Sequence, residues 1–321
     1  MKHALVTGAS GFLGSNLVRK LNKRNVEVTV FRRSSSSLDN LAGCEYHDFV
    51  GSLDAPGDLE KAADSCDAIF HLAAIGTYTF RDRRIRELVN VDAVRSLVTT
   101  LERRPGIRLV HCSSVAAVGV SDKPDLILDE KSAFNAGSIH YNDTKWRGEK
   151  IVLEAARRGM DAVVVNPGMI IGAHGLKEVQ RSLVRKIAQG AMRMYPPGGN
   201  CFSFVEDVAD GMISAFALGR KGERYILGGH NLAYSDYFGR IAGLFGVKPP
   251  GIRLLPFALP FLGGIADLFF GKLGWDAGKL AALFGFYTSA KAERELGYRI
   301  SSMDTIIESL RPLGDEHLER L

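Results

Sequence analysis

The chain has 321 residues, 46% of them hydrophobic and 24% charged, with a formal net charge of +5. That length and apolar content can bury a core in one large or two interlocked domains, and no long like-charge or Ser/Gly/Pro-rich run marks a disordered tail. Basic residues are scattered rather than gathered with aromatics, which argues against nucleic-acid binding, and Cys44, Cys66, Cys112 and Cys201 show neither CxxC spacing nor histidine partners, which argues against a metal site or a disulfide framework.

Met1-Lys2-His3 leads straight into Ala4 to Val6, too short an apolar run for a secretory signal and better read as a strand, so a cytoplasmic location is expected. Further strands are predicted at Glu27 to Phe31, Cys44 to Phe49, Ala68 to Leu72, Arg108 to Cys112 and Ala162 to Asn166. Between them, apolar residues at three- and four-residue spacing predict helices over Asn16 to Asn25, Leu59 to Ser65, Ile85 to Arg103 and Thr144 to Arg158. Alternation of this kind implies an α/β fold, a doubly wound parallel sheet of Rossmann type covered on both faces.

After Pro167 the rhythm breaks into a basic amphipathic helix, Leu176 to Met192, a turn-rich Tyr195 to Asn200 and a strand, Phe202 to Val205. The expected division is a dinucleotide-binding domain over 1–166, rejoined by segments about 202–230, and a smaller interwoven substrate lobe from 167–201 and 231–321. Leu254 to Phe270 is the most apolar segment, but its Pro256, Pro260, Gly263, Gly264 and Asp267, and its length, argue against a membrane span. Arg253 and Lys272 at its edges leave peripheral membrane contact as a possibility.

Thr7-Gly8-Ala9-Ser10-Gly11-Phe12-Leu13-Gly14 follows the first strand and opens a helix, the context that gives three spaced glycines meaning. Gly8 permits the tight turn, Gly11 lets the backbone approach a pyrophosphate, and Gly14 allows close helix-to-sheet packing, with the diphosphate on the helix N-terminus. At the end of the second strand, where an acid would bind the ribose hydroxyls of NAD, stand Arg32, Arg33 and Ser34. A guanidinium there meets a 2′-phosphate through charge-assisted bonds, so NADP(H) is expected over NAD(H).

Tyr141 and Lys145 lie four residues apart near a helix start, hence on one face. A tyrosine with a reference pKa of about 10 needs about 4 kcal/mol of preferential anion stabilisation to work near neutrality, and one ammonium about 4 Å away at an effective dielectric of 20 supplies a term of that order. His111-Cys112-Ser113-Ser114 sits at the carboxyl end of a later strand, the edge where ligands bind.

Together the glycines, Ser114, Tyr141 and Lys145 resemble the extended short-chain dehydrogenase/reductase superfamily over nearly the whole chain. The resemblance implies that Ser114 holds the substrate oxygen, with Ser113 the lesser candidate, that Tyr141 is the acid/base, and that Lys145 binds the nicotinamide ribose and lowers the tyrosine pKa. It also implies that Leu72, Ala73 and Ala74 flank the cofactor beside His71, that Asn90 supports the site, and that Pro167, Gly168, Met169 and Ile170, after Asn166, form a nicotinamide-side loop. Where the family often has an acid near the adenine, this chain has Gly51-Ser52-Leu53, with Asp48 a substitute or simply a solvated loop acid.

Val115-Ala116-Ala117 after Ser114 offers no carboxylate for water elimination, which argues against a dehydratase. Asn200-Cys201-Phe202-Ser203 lacks the arginine with which epimerases grip a sugar nucleotide; Arg181 or Arg185 could replace it or belong to a solvated helix face. The stretch Gly222 to Gly229 is most similar to the dihydroflavonol reductase-like branch with its 3β-hydroxysteroid dehydrogenase relatives, which implies hydride exchange between a ketone and an alcohol, and a homodimer. Phe257, Leu259, Phe261, Leu262, Phe269, Phe270, Leu283, Phe284 and Phe286 either line a pocket for an apolar substrate of sterol, terpenoid or acyl type or form the core of a small lobe. A nucleotide-sugar epimerase and a non-catalytic NADP(H) sensor are the rival readings.

Overall fold

Apart from the exposed edge strand His47–Val50, the apolar runs of the first half become strands buried on both faces. The computed structural model describes residues 1–176, 178–270 and 274–318. Strands β1 (His3–Thr7), β2 (Glu27–Arg32), β3 (His47–Val50), β4 (Ala68–His71), β5 (Arg108–Cys112) and β6 (Ala162–Pro167) join Arg224–Leu227 in one seven-stranded sheet. Its order is Arg224–Leu227, β6, β5, β4, β1, β2, β3, and every neighbouring pair is parallel. The chain therefore works outward in opposite directions from the β1–β4 pair, which opens a crevice at the carboxyl ends of those two strands.

Alternate residues of each strand feed two cores. Val6 and Phe70 pack with Leu17, Leu21 and Met212 under the helices Phe12–Asn22 and Val205–Leu218. Leu5 and Ile69 pack with Leu97, Leu101 and Val152 under Ala93–Glu102 and His140–Arg158. Each fully buried leucine among these contributes about 1.5–3 kcal/mol of apolar transfer, so the two layers fix the sheet on which the crevice depends.

Several boundaries depart from the periodicity reading for identifiable reasons. The first helix begins at Phe12 rather than Asn16, because Ser15 and Asn16 are buried polar residues: Asn16 Nδ2 donates to the Phe12 and His174 carbonyls. The third strand is His47–Val50, not Cys44 to Phe49, and Asp48 is on this strand rather than in a loop. The single helix expected over Ile85 to Arg103 is Arg83–Glu87, a π-helical segment Leu88–Asp92, then Ala93–Glu102. The helix expected from Leu176 to Met192 is observed as Glu178–Ala188, and Lys177 lies outside the described residues.

Beyond β6 a second sheet forms: Gly199–Phe204 pairs with His230–Ala233 antiparallel and with Met169–Ile171 and Phe284–Gly285 in parallel. Its core is built from Ile171, Val184, Ile187, Phe202, Phe238, Ile241 and Ile306. Among the apolar side chains described in Leu254 to Phe270, only Leu259 is buried, whereas Phe257, Phe261 and Leu262 are exposed, so the small-lobe core does not include them; the side chains of Phe269 and Phe270 lie outside the described residues. Lys272 lies outside the described residues, and no helix among those described is long and apolar enough to cross a membrane.

Candidate active site

The glycine turn is built from backbone crowding. Gly8 adopts φ +69°, and a Cβ there would stand 2.7 Å from the Ala73 nitrogen; a Cβ on Gly14 would stand 2.2 Å from the Gly8 carbonyl oxygen. Gly11 donates its N–H to the Gly8 carbonyl at 3.0 Å and becomes the N-cap of Phe12–Asn22. No side chain caps that helix and its first turn carries no acid, so its leading N–H groups face the crevice mouth as a ready anion site. Thr7 ties β1 to β4: its Oγ1 hydrogen-bonds His71 Nδ1 at 2.8 Å and accepts the Ala73 N–H at 3.3 Å, which sets Leu72, Ala73 and Ala74 beside the turn.

Across the crevice, the helix His140–Arg158 presents Tyr141 and Lys145 one turn apart. Ser114, just past the carboxyl end of β5, stands close enough to act on the Tyr141 phenol, and its Oγ accepts the Ala116 N–H at 3.2 Å. Ser113 is buried, and its Oγ has no hydrogen-bond partner among the described residues. Lys145 is 4% exposed and donates to the Cys112 carbonyl at 2.9 Å. Apolar enclosure pushes the Tyr141 phenol up to about 12, with Ser114 pulling in the other direction, and burial holds the Lys145 ammonium below its usual range. Lys145 is thus tied to the strand-end carbonyl, one turn along the helix from Tyr141.

The donor inventory fits a dinucleotide. An ammonium carries three donors, and Lys145 spends one on Cys112, so two remain for ribose hydroxyls. The uncapped helix start supplies the diphosphate cradle, and the Gly8 and Gly14 contacts leave no side chain in its way. Asn90, in the π-helical segment, holds the loop after β4 against the catalytic helix. Its Oδ1 accepts the Ile75 N–H at 2.9 Å, and its Nδ2 donates to the Ile75 carbonyl at 3.1 Å and to Thr144 Oγ1 at 3.2 Å. Pro167 ends β6, and Gly168, whose Cβ would meet the Cys201 carbonyl at 2.5 Å, lets Met169 and Ile170 pair with Phe202 and Ser203.

With the crevice described, the sequence comparisons give it a family. Residues 4–228 match the NAD dependent epimerase/dehydratase family. The chain belongs to that family. It is 30% identical over 312 residues to a Synechocystis sp. protein provisionally named dihydroflavonol 4-reductase, covering 93% of this chain and 90% of that protein. It is 32% identical over 257 residues to sterol demethylase protein B of Methylococcus capsulatus, covering 78% and 77% of the two. Among solved structures, that of gox2253 superposes with a TM-score of 0.85 at 29% identity, over 99% of both chains. As an epimerase/dehydratase family member of the extended short-chain dehydrogenase/reductase type, the protein is an NAD(P)-dependent oxidoreductase.

In this family member the residues read from sequence for the 2′-phosphate divide. Arg32 forms a bidentate pair with Asp48, Nε at 2.7 Å and Nη2 at 2.6 Å, while Arg33 is exposed and has no ion pair among the described residues. Asp48 is thus an exposed acid on the edge strand, engaged by the arginine. Arg185 pairs with Glu178 at 3.2 Å on its own helix.

Residues that sequence reasoning missed surround the same corner. Tyr78 meets Tyr141 edge to face at 5.1 Å between ring centroids, and its phenol is raised well above its ordinary value by burial and then by Tyr141, Tyr234 and Tyr287. Tyr234 OH, in the second lobe, accepts from Asn200 Nδ2 at 3.4 Å. Glu149, 1% exposed, accepts from Asn166 and Arg224. His71 and His111 stack at 5.4 Å beside Lys145, and burial drives both toward the neutral form, His71 to about 3. The signal for Glu149 was its spacing of one turn beyond Lys145; Tyr78 carried none.

Proposed function

We propose that the protein is an NADP(H)-dependent reductase or dehydrogenase that interconverts a ketone and an alcohol on an apolar small molecule of sterol, terpenoid or acyl type. The observation that carries this reading is the juxtaposition of Ser114, just past the carboxyl end of β5, and Tyr141, with Lys145 one turn further along the tyrosine's helix. Ser114 and Tyr141 offer two donors to one carbonyl oxygen; Ser114 holds it, and Tyr141 delivers or accepts the proton at its phenolic oxygen. Lys145 anchors the ribose and carries the positive charge that supports the phenolate.

When bound, the cofactor supplies or accepts the hydride at nicotinamide C4. Gly8, Ser10, Gly11, Phe12, Leu13 and Gly14 would hold its diphosphate, Arg33 with Arg32 its 2′-phosphate, and Leu72, Ala73, Ala74, Asn90 and Pro167 to Ile170 its flanks. The lobe from 167–201 and 231–321 would take the substrate, with Tyr78 and Tyr234 as aromatic walls toward Tyr141. Two named relatives support the chemistry: one carries the name of a reductase and the other that of a sterol-processing protein.

Screening carbonyl compounds for NADPH oxidation tests the reading. A reductase consumes NADPH stoichiometrically with ketone, whereas an epimerase on a nucleotide sugar regenerates its cofactor and shows no net change, and a sensor binds NADPH without turnover on any carbonyl.

A further inference from the structure

The helix Leu259–Phe270 packs against Trp275–Ala281 through glycines rather than large side chains. A Cβ on Gly263 would stand 2.4 Å from the Gly274 carbonyl, and one on Gly278 would stand 2.2 Å from that of Leu259. So close an approach turns the bulky residues of the first helix outward. Phe261, Ile265 and Leu268, spaced four and three apart, form one stripe and are 60%, 53% and 71% exposed; Phe257, one turn earlier, is 72% exposed. The Trp275 ring extends the stripe, edge-on to Phe261 at 4.9 Å. Water gains nothing from an apolar ridge of this size, and such ridges on a folded chain mark contact surfaces.

Beside the ridge runs Phe80 to Leu88, docked through the Phe80 N–H, which donates to Asp267 Oδ2 at 2.8 Å. This stretch adds exposed Phe80, Ile85 and Leu88 and exposed Arg81, Arg83 and Arg84, none of which has an ion pair among the described residues. Arg83 lies over the Phe80 ring at 5.5 Å. The acids of this stretch are engaged elsewhere: Asp82 accepts from the Thr77 and Thr79 hydroxyls, Glu87 pairs with Arg147 and His140, Asp276 accepts the His140 N–H, and Asp267 is buried. The outward face is therefore aromatic and aliphatic with a row of uncompensated guanidiniums.

Between the two segments lies a cavity of about 460 Å³, lined by Tyr78, Phe80, Arg86, Gly264, Leu268 and Trp275 among others. Tyr78 is the ring that touches Tyr141.

We propose that this face docks on the surface of an anionic lipid bilayer, the Phe257-Phe261-Ile265-Leu268 stripe entering the headgroup boundary and Arg81, Arg83 and Arg84 meeting lipid phosphates. The cavity then opens toward the membrane, and an apolar substrate dissolved there passes along Tyr78 to Tyr141; this last step rests on the proposed ketone–alcohol function. Charge decides against a second copy as the occupant, because a two-fold dimer through this face would bring the two sets of arginines together.

The test floats the full chain with phosphatidylcholine vesicles, with and without phosphatidylglycerol. The parent should float with the anionic vesicles, less so at high salt. Arg84→Gln should lower partition into phosphatidylglycerol vesicles about fivefold, the loss expected for one surface arginine. Phe257→Ser combined with Ile265→Ser should lower it further while NADP(H) binding and the melting temperature stay at parent values. A parent that remains in the soluble fraction with both vesicle types overturns the proposal. So does a parent dimer that the double variant converts to monomer, since that gives the face to a second copy. NADPH oxidation with a water-soluble ketone is scored separately: turnover without flotation rejects docking alone, and flotation without turnover on any carbonyl rejects the reductase reading alone.

Discussion

Glu149 Oε2 accepts a hydrogen bond from Asn166 Nδ2 at 2.6 Å, and the same nitrogen donates to the Ser114 carbonyl at 2.9 Å. The other carboxylate oxygen pairs with Arg224 Nη1 at 2.9 Å, so a buried charge at the end of β6 is stitched to the last strand of the sheet and, through Asn166, to the backbone of the residue that faces Tyr141. Removing the charge leaves the Arg224 guanidinium, whose Nε and Nη2 donate to the neutral Glu130 carbonyl, without its counter-charge in a mostly dry site. Glu149→Gln should cost stability near the lower end of the roughly 3–5 kcal/mol seen when buried ion pairs are broken, because Arg224 is 18% exposed. Urea denaturation measures this, and an unchanged midpoint would show that the pair contributes nothing.

The glycines of the first turn serve separable purposes. Gly14→Ala places a methyl 2.2 Å from the Gly8 oxygen and 2.7 Å from the Ala9 Cα, so the helix must shift and the melting temperature should fall by several degrees. Gly11→Ala meets only the Gly8 oxygen, at 3.2 Å, so folding should be nearly preserved while NADP(H) affinity drops, since the added methyl obstructs approach of the diphosphate. Thermal melts and cofactor titration on both variants check the split; equal melting losses would contradict it.

The sheet was readable because its strands are short apolar runs between helical patterns, and the glycine turn because its three positions follow a strand directly. The catalytic helix was placed four residues late, at Thr144. Its true start at His140 is capped by Asp276, whose carboxylate accepts the His140 N–H at 3.0 Å from 136 residues away, and no local pattern announces a cap so distant. Asp48 and Arg32 were read separately because their pairing depends on β2–β3 register, which sequence spacing does not state. Tyr78 follows the apolar Ala73 to Ile75 in an irregular loop, so neither period nor motif marked its contact with Tyr141.

Cofactor choice should turn on competition for Arg32. The Asp48 carboxylate holds the Nε–Nη2 edge of its guanidinium, whereas Arg33 is exposed beside it. Asp48→Asn removes a charge that repels the 2′-phosphate and releases Arg32, so NADP(H) affinity should rise relative to NAD(H). Arg33→Gln should lower it roughly tenfold to a hundredfold, the worth of a charge-assisted hydrogen bond of about 1.5–3 kcal/mol. Competitive titration of the two dinucleotides gives the ratio, and no change in either variant would remove this pair from the cofactor assignment.

Proton transfer at Tyr141 carries a pH signature. Its phenol, pushed up to about 12, stays protonated through neutral and mildly alkaline solution, so ketone reduction should run at a level rate there and fall only as pH rises through the phenol's range. Alcohol oxidation needs the phenolate and should rise over the same interval. Tyr141→Phe should lower kcat by about a hundredfold to ten-thousandfold with little effect on NADP(H) binding, the range for loss of a general acid. Full turnover in that variant would transfer the proton to another group.

The stacked pair His71 and His111 makes the fold acid-sensitive. Burial, reinforced by the Lys145 ammonium, holds His71 near 3 and His111 well below its ordinary range, so both are neutral in the folded chain. The unfolded chain binds protons at these histidines below about 6.5, and a state that binds more protons gains as pH falls. Stability should therefore be level above that value and decline as pH drops from about 6.5 toward 3, by up to about 1.4 kcal/mol per pH unit for each histidine. His71→Asn removes one titrating ring while leaving a side chain able to hydrogen-bond near Thr7, so it should flatten the decline even though it lowers stability at neutral pH. Urea midpoints collected across that acid range compare the slopes, and a variant as steep as the parent would place the acid sensitivity elsewhere in the molecule.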